Sequence, residues 1–103
     1  MAGPEIQNMT LLSQDTLVGH GGMGEGMAMQ VAPDGRRIIW LAHESAPKNF
    51  TGVDVTDPRK PKVVVQTELP VMEMRSNSLE VTGDIMAVAY QTPGVNMEKV
   101  GVE

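Results

Sequence analysis

Short apolar segments separated by turn signals run through most of this chain, and they predict strands rather than helices. Residues 37–42 (RIIWLA) are almost all apolar, which is typical of a strand buried on both faces. Residues 62–67 (KVVVQT) are rich in β-branched side chains, which favour extended backbone. The predicted strands span residues 27–32, 37–42, 50–55, 62–67, 78–82 and 85–90, the last of them buried, and a further strand starts within 97–103.

Proline and glycine mark the turns between these segments. Residues 33–36 (PDGR) combine a proline that presets φ with an Asp-Gly reversal. Pro58 and Pro61 stiffen the connection before residues 62–67, and Gly83-Asp84 predicts a tight turn. Strands joined by short turns favour antiparallel pairing between neighbours in sequence.

An internal repeat organises the strands into two units. Residues 29–31 align with 79–81, 38–43 with 85–90, and 49–51 with 101–103. Four short strands in a period of about 40–50 residues predict the blade of a β-propeller. Two ordinary hairpins that match by coincidence are the alternative. We therefore interpret residues 1–26 as a lead-in with a glycine-rich segment, 27–70 as a first blade and 71–103 as an incomplete second blade.

The stretch from residue 53 to 64 (VDVTDPRKPKVV) resembles the LVIVD-repeat β-propeller family. Blades of that family carry a hydrophobic-Asp-Val-Ser/Thr-Asp-Pro-x-x-Pro-x-Val-Val stretch, and residues 53–64 follow it. The resemblance implies a ring of several antiparallel four-stranded blades, so the fold class is all-β and this chain is a partial propeller. Residues 100–103 look like a strand cut off before the same signature, which predicts a fragment of a larger protein.

Composition and charge exclude several functions. The formal net charge is −5 and no basic stripe is present, which argues against a nucleic-acid partner. No apolar run reaches membrane-spanning length, so we expect no membrane partner. The chain has no Cys, and its N-terminus lacks a secretory signal pattern, which favours a cytoplasmic location. Exposed strand edges instead predict a protein partner, either the remainder of the propeller or another chain.

The glycine-rich segment formally contains a dinucleotide-binding spacing. Gly19, Gly21 and Gly24 satisfy G-x-G-x-x-G, but that motif requires a following helix, and here a strand is predicted. Glycine also permits a tight backbone entry into a strand, which is the simpler interpretation. We therefore predict no cofactor bound at these glycines.

Candidate metal ligands are His20, Glu25 and His43, which could face a central propeller channel. Imidazole and carboxylate groups suit a divalent metal ion. Ordinary loop and strand-end residues are the alternative, because the spacing matches no strong metal motif.

Two functions follow from these residues. One is a non-catalytic binding or scaffolding module, and the other is part of a propeller enzyme whose site lies in the channel and uses a metal. Analysis of bound metal in the natural chain and in His20→Ala separates them, since stoichiometric metal lost in the variant would favour the enzyme.

Overall fold

The computed structural model describes residues 8–19, 23–44, 47–70, 74–92 and 101–102. All regular secondary structure in these residues is β-strand, arranged in two antiparallel sheets, so the all-β prediction is confirmed. The strands are β1 Met23–Val31, β2 Arg37–His43, β3 Lys48–Asp54, β4 Lys62–Glu68, β5 Arg75–Thr82, β6 Ile85–Gln91 and β7 Gly101–Val102. Within the described residues there is no helix that could cross a membrane.

The first sheet has the order β1-β2-β3-β4, so each strand pairs with the next one in sequence. The predicted turn between β1 and β2 is closed by the Ala32 N–H, which donates to the Arg36 carbonyl at 2.8 Å. Gly35 has a φ of 89°, a conformation that favours glycine. Residues 62–67 form a strand as predicted, and β4 lies at an edge of this sheet.

The first strand begins earlier than the sequence predicts. β1 starts at Met23 rather than residue 27, so it includes part of the glycine-rich segment assigned to the lead-in. Its pairing with β2 is irregular between Met23 and Met27, which marks a bulge. The sequence pattern misses this start because glycine is disfavoured in strands and hides the alternation.

The second sheet has the order β5-β6-β7 and repeats the antiparallel arrangement. The repeat alignment matched Met29 with Leu79 and Ile39 with Met86. In the structure Met29 pairs with Ile39, whereas Leu79 pairs with Val88, so the alignment is wrong by two residues at one of its strands. A shift of two keeps every side chain on the same face, because side chains alternate with a period of two.

The prediction that β6 is a buried strand is correct for one face only. Val88 and Tyr90 are buried, whereas Ile85 is 72% exposed. Strand β2 comes closer to its prediction, since Ile38, Leu41 and Ala42 are all buried. The difference arises because, within the described residues, the second sheet packs against the first on a single face.

The hydrophobic core lies between the two sheets. Trp40 and Phe50 border it and contact each other edge to face, with ring centroids 5.8 Å apart. Strand β1 comes close to β5 at Gly26, where a Cβ atom would lie 2.7 Å from the Leu79 nitrogen. The buried core residues are Ala28, Ala42, Leu69, Leu79, Val88 and Tyr90.

The face of the first sheet that points away from this core is called the outer face below. Met27, Leu41, Thr51 and Gln66 are successive cross-strand partners, so their side chains share that face. The segment before β1 runs along part of it, and the Ser13 hydroxyl donates to the Pro58 carbonyl at 2.6 Å.

Candidate functional site

Several polar side chains are buried around the end of β2, the first half of β3 and the start of β5. His43 is 1% exposed, while Thr51 and Ser76 are fully buried. Buried polar groups are costly unless they are hydrogen-bonded, so their partners decide what this region can do.

Ser76, at the start of β5, joins the two sheets through both functions of its hydroxyl. Its Oγ accepts a hydrogen bond from the His43 backbone N–H at 3.3 Å and donates to the Asn49 carbonyl. The regular β2–β3 pairs end at Ala42 and Phe50. The Ser76 hydroxyl therefore bridges the next position of both strands from the neighbouring sheet.

His43 and Thr51 form a second polar group on the outer face. The His43 Nε2 lies 2.7 Å from the Thr51 Oγ1, and the Gln66 Nε2 donates to the same oxygen at 3.0 Å. Side-chain hydrogen bonds thus connect β2, β3 and β4 across the sheet. The His43 imidazole is consequently held by neighbouring strands as part of the fold.

A further polar chain reaches from the first sheet to the β5–β6 turn. The Trp40 Nε1 donates to the Gln30 Oε1 at 2.9 Å, and the Gln30 Nε2 donates to the Gly83 carbonyl at 2.7 Å. Trp40 borders the core between the two sheets. Its N–H is satisfied there, as a partly buried indole requires.

Only one of the two polar atoms of the Asn49 side chain has a hydrogen-bond partner. Its Nδ2 donates to the Tyr90 Oη at 2.9 Å, which again connects β3 with β6. Its Oδ1 is buried and has no hydrogen-bond partner, and the same holds for the Thr67 Oγ1. Both residues line a pocket of about 370 Å³ between the sheets.

The three predicted metal ligands are not brought together in the described part of the chain. His20 lies outside the described residues, as do Gly21 and Gly22 of the glycine-rich segment. Glu25 is exposed on β1, whereas His43 is buried and bonded to Thr51. No group of three or more His, Cys, Asp or Glu residues that could hold a metal occurs in residues 8–19, 23–44, 47–70, 74–92 and 101–102. The metal site stays a prediction that rests mainly on His20.

Sequence reasoning selected His43 but missed the residues around it. Thr51, Ser76 and Asn49 carry no motif, and they become neighbours only through strand pairing and sheet packing. The one signal present was the alignment of the strand that ends at His43 with the strand that contains Tyr90, the residue to which the Asn49 Nδ2 donates.

Two carboxylates of the described residues have a lowered pKa: Asp54, at the end of β3, and Asp34, in the β1–β2 turn, and neither lines the pocket. Hydrogen bonds from the Thr56 hydroxyl and backbone N–H hold the pKa of Asp54 below its ordinary value. The Arg36 backbone N–H, aided by its guanidinium at 2.9 Å, lowers the pKa of Asp34 in the same way. These hydrogen bonds hold the backbone of the two turns in place.

Comparisons with family models, with curated proteins and with solved structures gave no match to this chain. The resemblance of residues 53–64 to the LVIVD-repeat propellers accordingly stays a prediction.

Proposed function

We propose that this chain is a section of a β-propeller of the LVIVD-repeat type and acts as a binding or scaffolding module. The observation that carries the proposal is the packing of two consecutive antiparallel sheets face to face, with β1 close to β5 at Gly26. In a propeller, consecutive sheets pack in this way around a central axis. The first strands of neighbouring blades then lie closest together.

The exposed apolar side chains on β1 support the proposal that further sheets pack against this chain. Met27, Met29 and Val31 are 64%, 52% and 65% exposed on the outer face. A closed propeller has about four to eight blades, so two sheets leave faces that no further sheet covers, and the segment before β1 covers only part of the outer face. Contiguous exposed apolar surface marks interaction sites, and here it would suit another sheet. The partner is therefore the remainder of the ring or another chain.

The contacts between the two sheets support a structural role for the buried polar residues. Ser76 bonds to the Asn49 carbonyl and the Asn49 amide bonds to Tyr90, so both hydrogen bonds cross the junction between the sheets. A binding module needs rigid sheets that present loops and channel surfaces, and buried bonds between sheets supply that rigidity.

Sedimentation velocity over a range of concentrations tests this proposal. The chain should form species heavier than its 11.1 kDa monomer, because association would bury the exposed apolar side chains of β1. Met29→Glu should shift the population toward monomer by placing a charge in that contact. Lys60→Glu also adds negative charge, but in an exposed turn, and should leave association unchanged. A monodisperse, cooperatively folding monomer at all concentrations would refute the proposal.

A further inference from the structure

The pocket between the sheets has apolar walls contributed by both of them. It has a volume of about 370 Å³, and β3, β4 and β6 all contribute to its lining. Phe50, Pro70, Met86 and Val88 supply the apolar surface. This size lies at the lower end of the range for small-molecule sites, which are commonly concave and largely apolar.

Two polar atoms without partners belong to residues of this pocket. Asn49 is 4% exposed, yet its Oδ1 has no hydrogen-bond partner, and the buried Thr67 Oγ1 has none either. A buried polar atom that is left without a partner destabilises the fold, so a ligand that pairs with it gains affinity. These are the only unpartnered buried side-chain atoms among the described residues, and both their residues line the same pocket.

The chemistry of the two atoms defines the ligand group that would satisfy them. The Asn49 amide nitrogen is already bonded to Tyr90, so the atom left for a ligand is a carbonyl oxygen that only accepts. The Thr67 hydroxyl can also accept. Glu68 also lines the pocket, and Lys48 is its cross-strand neighbour in β3. Hydrogen-bond donors are what the site lacks.

We propose that this pocket binds a small apolar molecule that carries an N–H donor group, such as an aromatic or aliphatic carboxamide. The apolar body packs against Phe50, Met86 and Val88, and the N–H group donates to the Asn49 Oδ1 and the Thr67 Oγ1. The proposal needs only the two sheets as they pack here. It goes beyond the assembly proposed above, and either can fail without the other.

Titration of the ¹⁵N-labelled full chain with two matched probes tests the donor requirement. Benzamide and acetophenone have nearly the same shape and both carry a carbonyl, but only benzamide has N–H donors. We expect benzamide to bind with a dissociation constant on the order of 1 mM and to shift the amide signals of Phe50, Thr67 and Val88. Acetophenone should bind about five-fold more weakly, the equivalent of one hydrogen bond of about 1 kcal/mol.

The variant Thr67→Val tests whether the N–H group of the ligand donates to the Thr67 Oγ1 of this pocket. The variant keeps the side-chain shape and removes an oxygen that has no partner in the fold, so stability should be unchanged or slightly higher. Benzamide affinity should fall about five-fold, while acetophenone affinity stays the same. Val64→Thr, on the same strand but outside the pocket, is the matched control and should change neither affinity.

Three results would overturn the proposal. Equal affinity for benzamide and acetophenone would remove the donor requirement. Absence of shifts at the pocket residues would mean that water alone occupies it. Unchanged benzamide affinity in Thr67→Val would place the binding elsewhere, and the comparison of the two probes on the natural chain remains decisive even if a variant folds poorly.

Discussion

At the scale of single residues, the junction between the sheets depends on a few buried hydrogen bonds. Ser76 contributes two of them, one to the His43 N–H and one to the Asn49 carbonyl. Asn49 contributes another to Tyr90. Each is worth about 0.5–1.5 kcal/mol, and buried side-chain bonds between sheets also fix how the sheets are placed.

Ser76→Ala should lower the free energy of unfolding by about 2 kcal/mol, because it removes both bonds of a fully buried hydroxyl. Urea denaturation measures the change. Ser78→Ala is the matched control on the same strand, where the side chain is exposed, and its effect should stay within about 0.5 kcal/mol. Equal stability of the two variants would show that the Ser76 bridge contributes nothing.

Two turn carboxylates predict how stability responds to acid. Asp54 and Asp34 have folded-state pKa values below the ordinary value, so their stabilisation is complete above the ordinary pKa and is lost as the pH falls through the folded one. The urea midpoint should be constant from about pH 7 to 5 and should decline below about pH 4.

Asp54→Asn isolates that effect, because an amide keeps a hydrogen-bond acceptor but cannot take up a proton in this range. The decline below about pH 4 should be shallower in this variant than in the natural chain, and shallower still when Asp34→Asn is added. An unchanged decline in the double variant would show that other groups cause the acid sensitivity.

At the scale of strands and sheets, the backbones of β1 and β5 approach closely at one glycine, and this approach sets the distance between the two sheets. Gly26 lies in β1, and a Cβ there would lie 2.7 Å from both the Ser78 Cα and the Leu79 nitrogen. Those are backbone atoms of β5, which cannot move aside as the end of a flexible side chain can. Any side chain at this position must therefore push the sheets apart.

Gly26→Ala should destabilise the protein by about 1–3 kcal/mol, the usual range for overpacking. Thermal unfolding monitored by the Trp40 fluorescence measures it, since the indole borders the core between the sheets. Glu25→Ala changes the exposed neighbouring residue and should have little effect. A stable Gly26→Ala variant would contradict the close β1–β5 approach.

The sequence predicts most strands of this fold, but it cannot predict how the two sheets meet. Alternation and turn residues are local signals, and they place β2 and β4 within one or two residues of their observed bounds. The start of β1 was missed because Gly26 serves a contact with β5, which lies far along the chain. The Ser76–Asn49 bond joins residues 27 positions apart, and no local pattern encodes it.

At the scale of the whole molecule, both sheets expose apolar side chains that further sheets would cover. The core between the two sheets buries Ala28, Ala42, Leu79 and Val88, whereas Met27, Met29 and Val31 are exposed on the outer face of the first sheet. Ile85 is similarly exposed on the second sheet. Repeat proteins bury such faces by stacking neighbouring units, which is why we expect assembly.

A crystal structure of the assembled species tests the central claim most directly. We predict a closed ring of radially arranged sheets in which β1 is the innermost strand and Met29 is buried against a neighbouring sheet. A structure with β1 at the periphery, or with Met29 open to solvent on an isolated pair of sheets, would contradict the account.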